Sequence, residues 1–178
     1  MRRLILMGLA GVILLAPVTS CKRKRAAPTE ASQQASSEPA TMLASSDPRA
    51  ALQLIKGFHE VENGGWRWSA KEFSAALKPP ASAAQKGATL LLKFSVIEAS
   101  LAKLGPITLS AKVGTTQCPA QTYSKANEYE YKCDVPAAAF AGPGLVTADF
   151  ALDKAIPASD TDQRELGLVV AMVGFEAK

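Results

Sequence analysis

Ile107-Thr108-Leu109-Ser110-Ala111-Lys112-Val113 places an apolar residue at every second position, and that period of two decides the fold class. Side chains alternate across a strand, so Ile107, Leu109, Ala111 and Val113 share one face while Thr108, Ser110 and Lys112 share the other. Working outward, the same alternation recurs in Phe73, Ala75 and Leu77, in Leu90, Leu92, Phe94 and Val96, in Tyr129, Tyr131 and Cys133, and in Val146, Ala148, Phe150 and Leu152. One face on a core and one in water is the pattern of antiparallel strands. The last run, Leu166 to Phe175, is apolar on both faces, which predicts a strand in the middle of a sheet. Leu52 to Phe58 and Trp66 to Ser69 complete a set of about eight strands. Asn63-Gly64-Gly65, Pro79-Pro80, Gly105-Pro106, Gly142-Pro143-Gly144 and Pro157 are the turns between them. The one helical turn expected is Pro136 to Phe140. The reading is an all-β chain with a single jelly-roll-like antiparallel β-sandwich over residues 48–178.

Charge narrows the function classes. The 178 residues carry a net charge of +4, much of it in the run Lys22-Arg23-Lys24-Arg25, whereas residues 48–178 hold 14 basic groups against 13 acidic ones. A nearly neutral folded part argues against nucleic acid as a partner. Its 131 residues suit one domain with one core.

The amino terminus reads as an address. Arg2 and Arg3 precede an apolar run from Leu4 to Val18, the layout of an export signal over residues 1–20. Fifteen residues make roughly 22 Å of helix at about 1.5 Å each, short of the roughly 30 Å hydrocarbon core of a bilayer. Val18-Thr19-Ser20-Cys21 resembles the lipobox of bacterial lipoproteins. That resemblance implies cleavage before Cys21, acylation of its thiol and amino group, and a membrane as partner through the lipid anchor. Lys22 in place of the inner-membrane retention residue Asp implies the outer membrane, facing the periplasm or the surface. The basic run would lie against anionic head groups.

Residues 21–47 then read as lipidated cysteine and flexible linker. Residues 26–47 contain six Ala, five Ser, two Thr, two Gln and two Pro, with only Met42 and Leu43 large and apolar, too little to offset ordering entropy. The contour reaches roughly 90 Å at about 3.4 Å per residue, with a typical end-to-end distance of about 28 Å. On that arithmetic the domain floats near the membrane without lying on it. Acylation of Cys21 would leave Cys118 and Cys133 as a disulfide pair in an oxidising compartment.

The inventory of catalysts is thin. His59 is the only histidine, no serine sits in a GxSxG setting, and the spacing of Cys118 and Cys133 is neither a redox CxxC nor a zinc pattern. Gly142-Pro143-Gly144 is a turn rather than a phosphate cradle. Glu60 with Glu62, and Asp160 with Asp162, are acid pairs of the kind glycoside hydrolysis uses, but such pairs are common on solvated faces. The chain reads as non-enzymatic, with no cofactor and no metal site.

Two segments stand apart: Gly57-Phe58-His59-Glu60-Val61-Glu62-Asn63-Gly64-Gly65-Trp66-Arg67-Trp68, and Asp160-Thr161-Asp162-Gln163-Arg164-Glu165-Leu166-Gly167-Leu168. With Ile107 to Val113 and the turn Val135-Pro136-Ala137, they resemble a bacterial envelope-associated β-sandwich domain with Trp-Arg-Trp and Asp-x-Arg-x-Leu-Gly motifs, also found beside glycosyltransferase-type modules. Cys118 and Cys133 depart from that pattern. Trp66 and Trp68 would offer aromatic faces to sugar rings, while Arg67, Asp162, Arg164 and Glu165 would orient a ligand through charge-assisted hydrogen bonds. The opposing reading is a Trp pair that fills the core and an Arg164 that ties a loop down. The function expected is a membrane-anchored envelope lipoprotein with a non-catalytic module for envelope glycan or polysaccharide. The alternative is an accessory or scaffold subunit of an envelope protein complex, acting by protein–protein contact.

Overall fold

The computed structural model describes residues 38–178. The expected signal peptide, the lipobox-like tetrad with Cys21, the basic run Lys22 to Arg25 and the expected linker up to residue 37 lie outside the described residues. Ten strands follow in chain order: β1 Met42–Ala44, β2 Leu54–Glu62, β3 Trp66–Leu77, β4 Ala88–Val96, β5 Ile107–Val113, β6 Thr116–Gln117, β7 Gln121–Tyr123, β8 Asn127–Val135, β9 Val146–Leu152 and β10 Val169–Ala177. Three short helices, α1 Ala50–Gln53, α2 Ala83–Lys86 and α3 Glu98–Leu104, and a 3-10 turn at Ala137–Phe140 complete the described chain.

All pairings between these strands are antiparallel, along the path β6-β5-β9-β3-β10-β4-β8. One pairing folds this path into two layers. At the start of β3, Arg67 and Trp68 pair with Val170 and Val169 of β10. Further along, Glu72 to Leu77 pair with β9, while Met172 to Gly174 of β10 pair with β1. The two central strands touch briefly and diverge, each taking a new neighbour. One layer is β1-β10-β4-β8 and the other is β2-β3-β9-β5 with β6 and β7 at its rim. Across the opposite seam, Cys118, between β6 and β7, is bonded to Cys133 of β8, with 5.8 Å between Cα atoms. Tyr131 donates its hydroxyl to the Pro119 carbonyl at 2.9 Å beside it. The result is an antiparallel sandwich closed almost to a barrel.

The alternating residues meet inside. Phe73, Leu77, Leu90, Leu92, Ile107, Leu109 and Tyr131 are fully buried. Phe73 and Phe150 stack at 4.9 Å, and Phe94, Tyr123 and Tyr129 fill the disulfide seam. Tyr123 is desolvated enough to push its phenol up to about 12.

Three expectations change. The linker does not extend to residue 47, because Met42–Ala44 is a strand on β10 and Leu43 is fully buried. Gln53 clasps this entry segment, accepting from the Ala40 amide at 2.7 Å and donating to the Ala40 and Ala76 carbonyls. Trp66 to Ser69 and Phe73 to Leu77 are one strand carrying a bulge, not two. Gly57 makes the bulge possible, with φ of +69° and a position where a Cβ would lie 2.0 Å from the Glu72 carbonyl oxygen. None of the helices α1, α2 and α3 was foreseen, and α1 takes Leu52 and Gln53 from the start of the expected strand Leu52 to Phe58.

Candidate functional site

Residues that share a cross-strand register position share a face. Glu62 pairs with Trp66, and Trp68 pairs with Val169, so Glu62, Trp66 and Trp68 look outward from the sandwich at the β2–β3 hairpin. Arg67 pairs with Val170, a core residue, and looks the other way. The expectation that both tryptophans either fill the core or form an open platform is corrected here. They lie on the outer face, yet Trp68 is only 9% exposed, and Trp66 stands edge-on to it at 6.3 Å and is itself partly buried.

Arg67 is not placed to meet a ligand at this face. Its Nε donates to the Ser45 carbonyl at 2.8 Å and its Nη1 to the His59 carbonyl at 2.9 Å. It thereby ties β1 to β2 at the lip of the interior.

The second motif segment arrives over the tryptophan face as a loop between β9 and β10. Arg164 anchors it, donating from Nη1 to Glu62 Oε1 at 2.6 Å, from Nε to Asp162 Oδ1 at 2.9 Å and from Nη2 to Asp162 Oδ2 at 2.8 Å. The Arg164 amide also reaches Asp162 Oδ1, at 3.0 Å. Glu165 accepts from the Lys71 amide at 2.6 Å through Oε1, and its carbonyl lies 2.7 Å from His59 Nε2. Then Gly167 and Leu168 exchange hydrogen bonds with Ser69. A Cβ on Gly167 would fall 2.7 Å from Ser69 Oγ and 2.8 Å from the Ala70 carbonyl, so the glycine of the motif is there for close approach.

The fold thus gathers Glu62, Trp66, Trp68, Asp162, Arg164 and Glu165 from two distant segments. Glu62 and Ser69 are partners that the motif reading missed as such. Glu62 was visible only as half of an acid pair, and Ser69 carried no signal. Glu60, its supposed pair mate, has a fully exposed side chain and only a 4.0 Å approach to Arg67.

The electrostatics follow from the Arg164 fork. Hydrogen bonds from Arg164 hold Asp162 well below its ordinary value of 3.8, at about 2. Asp162 first, then Glu62, raise the guanidinium further still. About a third of each side chain remains exposed, at 36% for Arg164, 35% for Asp162 and 33% for Glu62. Three of the five guanidinium N–H groups are taken by these two carboxylates, leaving two without a carboxylate partner among the described residues.

A pH dependence results. A carboxylate near 2 in the folded chain and about 3.9 when unfolded strengthens the loop fully above pH about 4, and that support fades as pH falls through 2. Amide exchange over residues 159–167 is therefore expected to accelerate between about pH 4 and pH 2, over the intrinsic rate. Asp162→Asn should exchange rapidly already at neutral pH and show no such step. An identical acid profile in wild type and variant would remove this role.

No protein-family model matches the chain, and no curated protein matches it.

Proposed function

We propose that the chain is a lipid-anchored protein of the bacterial cell envelope, held in the outer membrane through Cys21, whose β-sandwich is a non-catalytic binding module for envelope glycan or polysaccharide. The observation that carries this reading is the placement of Trp66 with the Glu62, Asp162 and Arg164 cluster at one end of β3, while the chain enters the fold at the other end, where Ala40 bonds Lys78 and Gln53. The accessible part of the Trp66 ring, with a partly exposed guanidinium and two partly exposed carboxylates in the same cluster, suits the C–H and hydroxyl groups of a sugar ring. A tethered domain would present that end away from its anchor.

A second reading is supported by strand β2. Among the described residues it pairs with β3 alone, and Ile55 and Val61 on it are 54% and 40% exposed. An open edge with exposed β-branched residues suits docking of another chain's strand, as in an accessory subunit.

The two readings separate in one comparison using the mature chain, residues 21–178, with Cys21→Ser and the disulfide intact. Against peptidoglycan, lipopolysaccharide and a polysaccharide panel, Trp66→Ala and Arg164→Ala are expected to weaken saturable binding at least about tenfold, roughly 1.4 kcal/mol, while remaining folded. Absence of saturable glycan binding, together with Val61-specific crosslinking to an envelope protein, would transfer the function to the β2 edge.

A further inference from the structure

The end of the sandwich where the chain enters has a composition of its own. Two loops cap it, residues 78–87 before β4 and residues 136–145 before β9. The first holds Lys78 and Lys86 and no acid, and the second, Pro136-Ala137-Ala138-Ala139-Phe140-Ala141-Gly142-Pro143-Gly144-Leu145, has no charged residue at all. Its tip, from Ala141 to Leu145, is exposed throughout, with Leu145 43% exposed. Phe140 packs edge-on to Phe175 at 5.2 Å, which pins the base of this tip to the core. Between the loops lies an apolar groove of about 430 Å³, lined among others by Pro39, Pro79, Pro80, Ala84, Phe140 and Leu145. Glu38 is the acid nearest in sequence to the entry point, and Lys78 pairs with it at 3.5 Å.

An exposed, charge-free loop tip beside an apolar groove suits an apolar partner. The position of Pro39 indicates which one. Pro39 lines the groove and is also where the chain leaves the described fold, 18 residues after Cys21. Whatever its conformation, a tether of 18 residues spans at most about 60 Å at about 3.4 Å per residue, so a lipid on Cys21 would keep this end of the domain close to the bilayer. A contact too weak to form in free solution forms under that constraint. Lys22, Arg23, Lys24 and Arg25 at the anchored end, and Lys86 at the domain end, where Glu38 offsets Lys78, have the charge sign that an anionic membrane surface attracts.

We propose that the loops 78–87 and 136–145 form a bilayer-contact surface, so that the sandwich stands on the membrane on this end, with Leu145 and the Gly142-Pro143-Gly144 tip at the head-group boundary. This rests on the reading of Cys21 as the lipid anchor. The bilayer then orients the domain, with β3 running away from it towards the Trp66 and Arg164 cluster.

The test is hydrogen exchange on the mature acylated protein in vesicles of phosphatidylethanolamine and phosphatidylglycerol, compared with the unacylated Cys21→Ser chain in buffer. Slowing of at least several-fold is expected at the non-proline amides of residues 81–87 and 137–145, with none at residues 58–68. Leu145→Glu should abolish the slowing while the protein stays folded and anchored. No difference between vesicles and buffer, or protection at residues 58–68 instead, overturns the proposal. So does protection that grows with protein concentration without vesicles, which would assign the surface to a second copy. Intact mass reports acylation separately. Where Cys21 carries no lipid, coupling its thiol to a maleimide lipid in the same vesicles tests the contact alone, and failure there overturns it as well.

Discussion

Trp68→Ala is expected to destabilise the fold by about 3 to 5 kcal/mol, the range for emptying a buried tryptophan site. Trp66→Ala should cost much less. The difference is not obvious from two tryptophans on one face of one strand, since their faces and backbone settings are alike. It comes from cover: Trp68 lies at 9% exposure against Trp66 and beside Val169, whereas Trp66 is only partly buried. In urea, with a slope of about 2 kcal/mol/M, the Trp68 variant should unfold at a midpoint lower by roughly 2 M, with little change in slope. Small and equal effects in both variants would mean that both rings are open to solvent, and would restore the two-ring platform as a glycan surface.

Replacing both cysteines, Cys118→Ser with Cys133→Ser, is expected to cost about 3 kcal/mol, the chain-entropy value for a loop of about 15 residues. The bond joins the rims of the two layers, β8 on one side and the β6–β7 segment on the other. Its loss should therefore be felt first in that seam. Tyr123 provides a local readout, because burial holds its phenol at about 12. Once the seam loosens, the phenol should titrate closer to about 10, its unperturbed value, and ultraviolet titration of variant against wild type measures this directly. Unchanged titration together with unchanged stability would show that the aromatic packing of Phe94, Tyr123 and Tyr129 closes the seam without help.

The strands of the core were legible because each carries its own period of two, which needs no knowledge of neighbours. Ile107 to Val113 and Val146 to Leu152 stand where alternation puts them. What depends on pairing was not legible. Met42–Ala44 has one buried side chain, Leu43, within an Ala- and Ser-rich run, and three residues cannot announce a strand by periodicity. The bulge that joins Trp66 to Leu77 in one strand is enabled by Gly57 on its neighbour, a residue with no periodic signal. At the candidate site, the motif residues Trp66, Trp68, Asp162, Arg164 and Glu165 were identifiable, but their division of labour was not. Alternation alone puts Arg67 on the face opposite the tryptophans, but its bonds to the Ser45 and His59 carbonyls, and the pairing of Glu62 with Arg164, depend on neighbours that no period reveals.

The three-residue strand β1 also determines how the molecule responds to force. A pull between an anchored amino terminus and a ligand held near the hairpin runs along the strand axis, across the hydrogen bonds to β10 rather than down their line. Bonds so arranged stretch together and fail together, so this short strand and the Gln53 clasp act as a single latch. If the latch slips, residues 40–53 extend as chain, adding about 45 Å of reach at about 3.4 Å per residue. The two layers and the disulfide seam would stay closed while the chain lengthens.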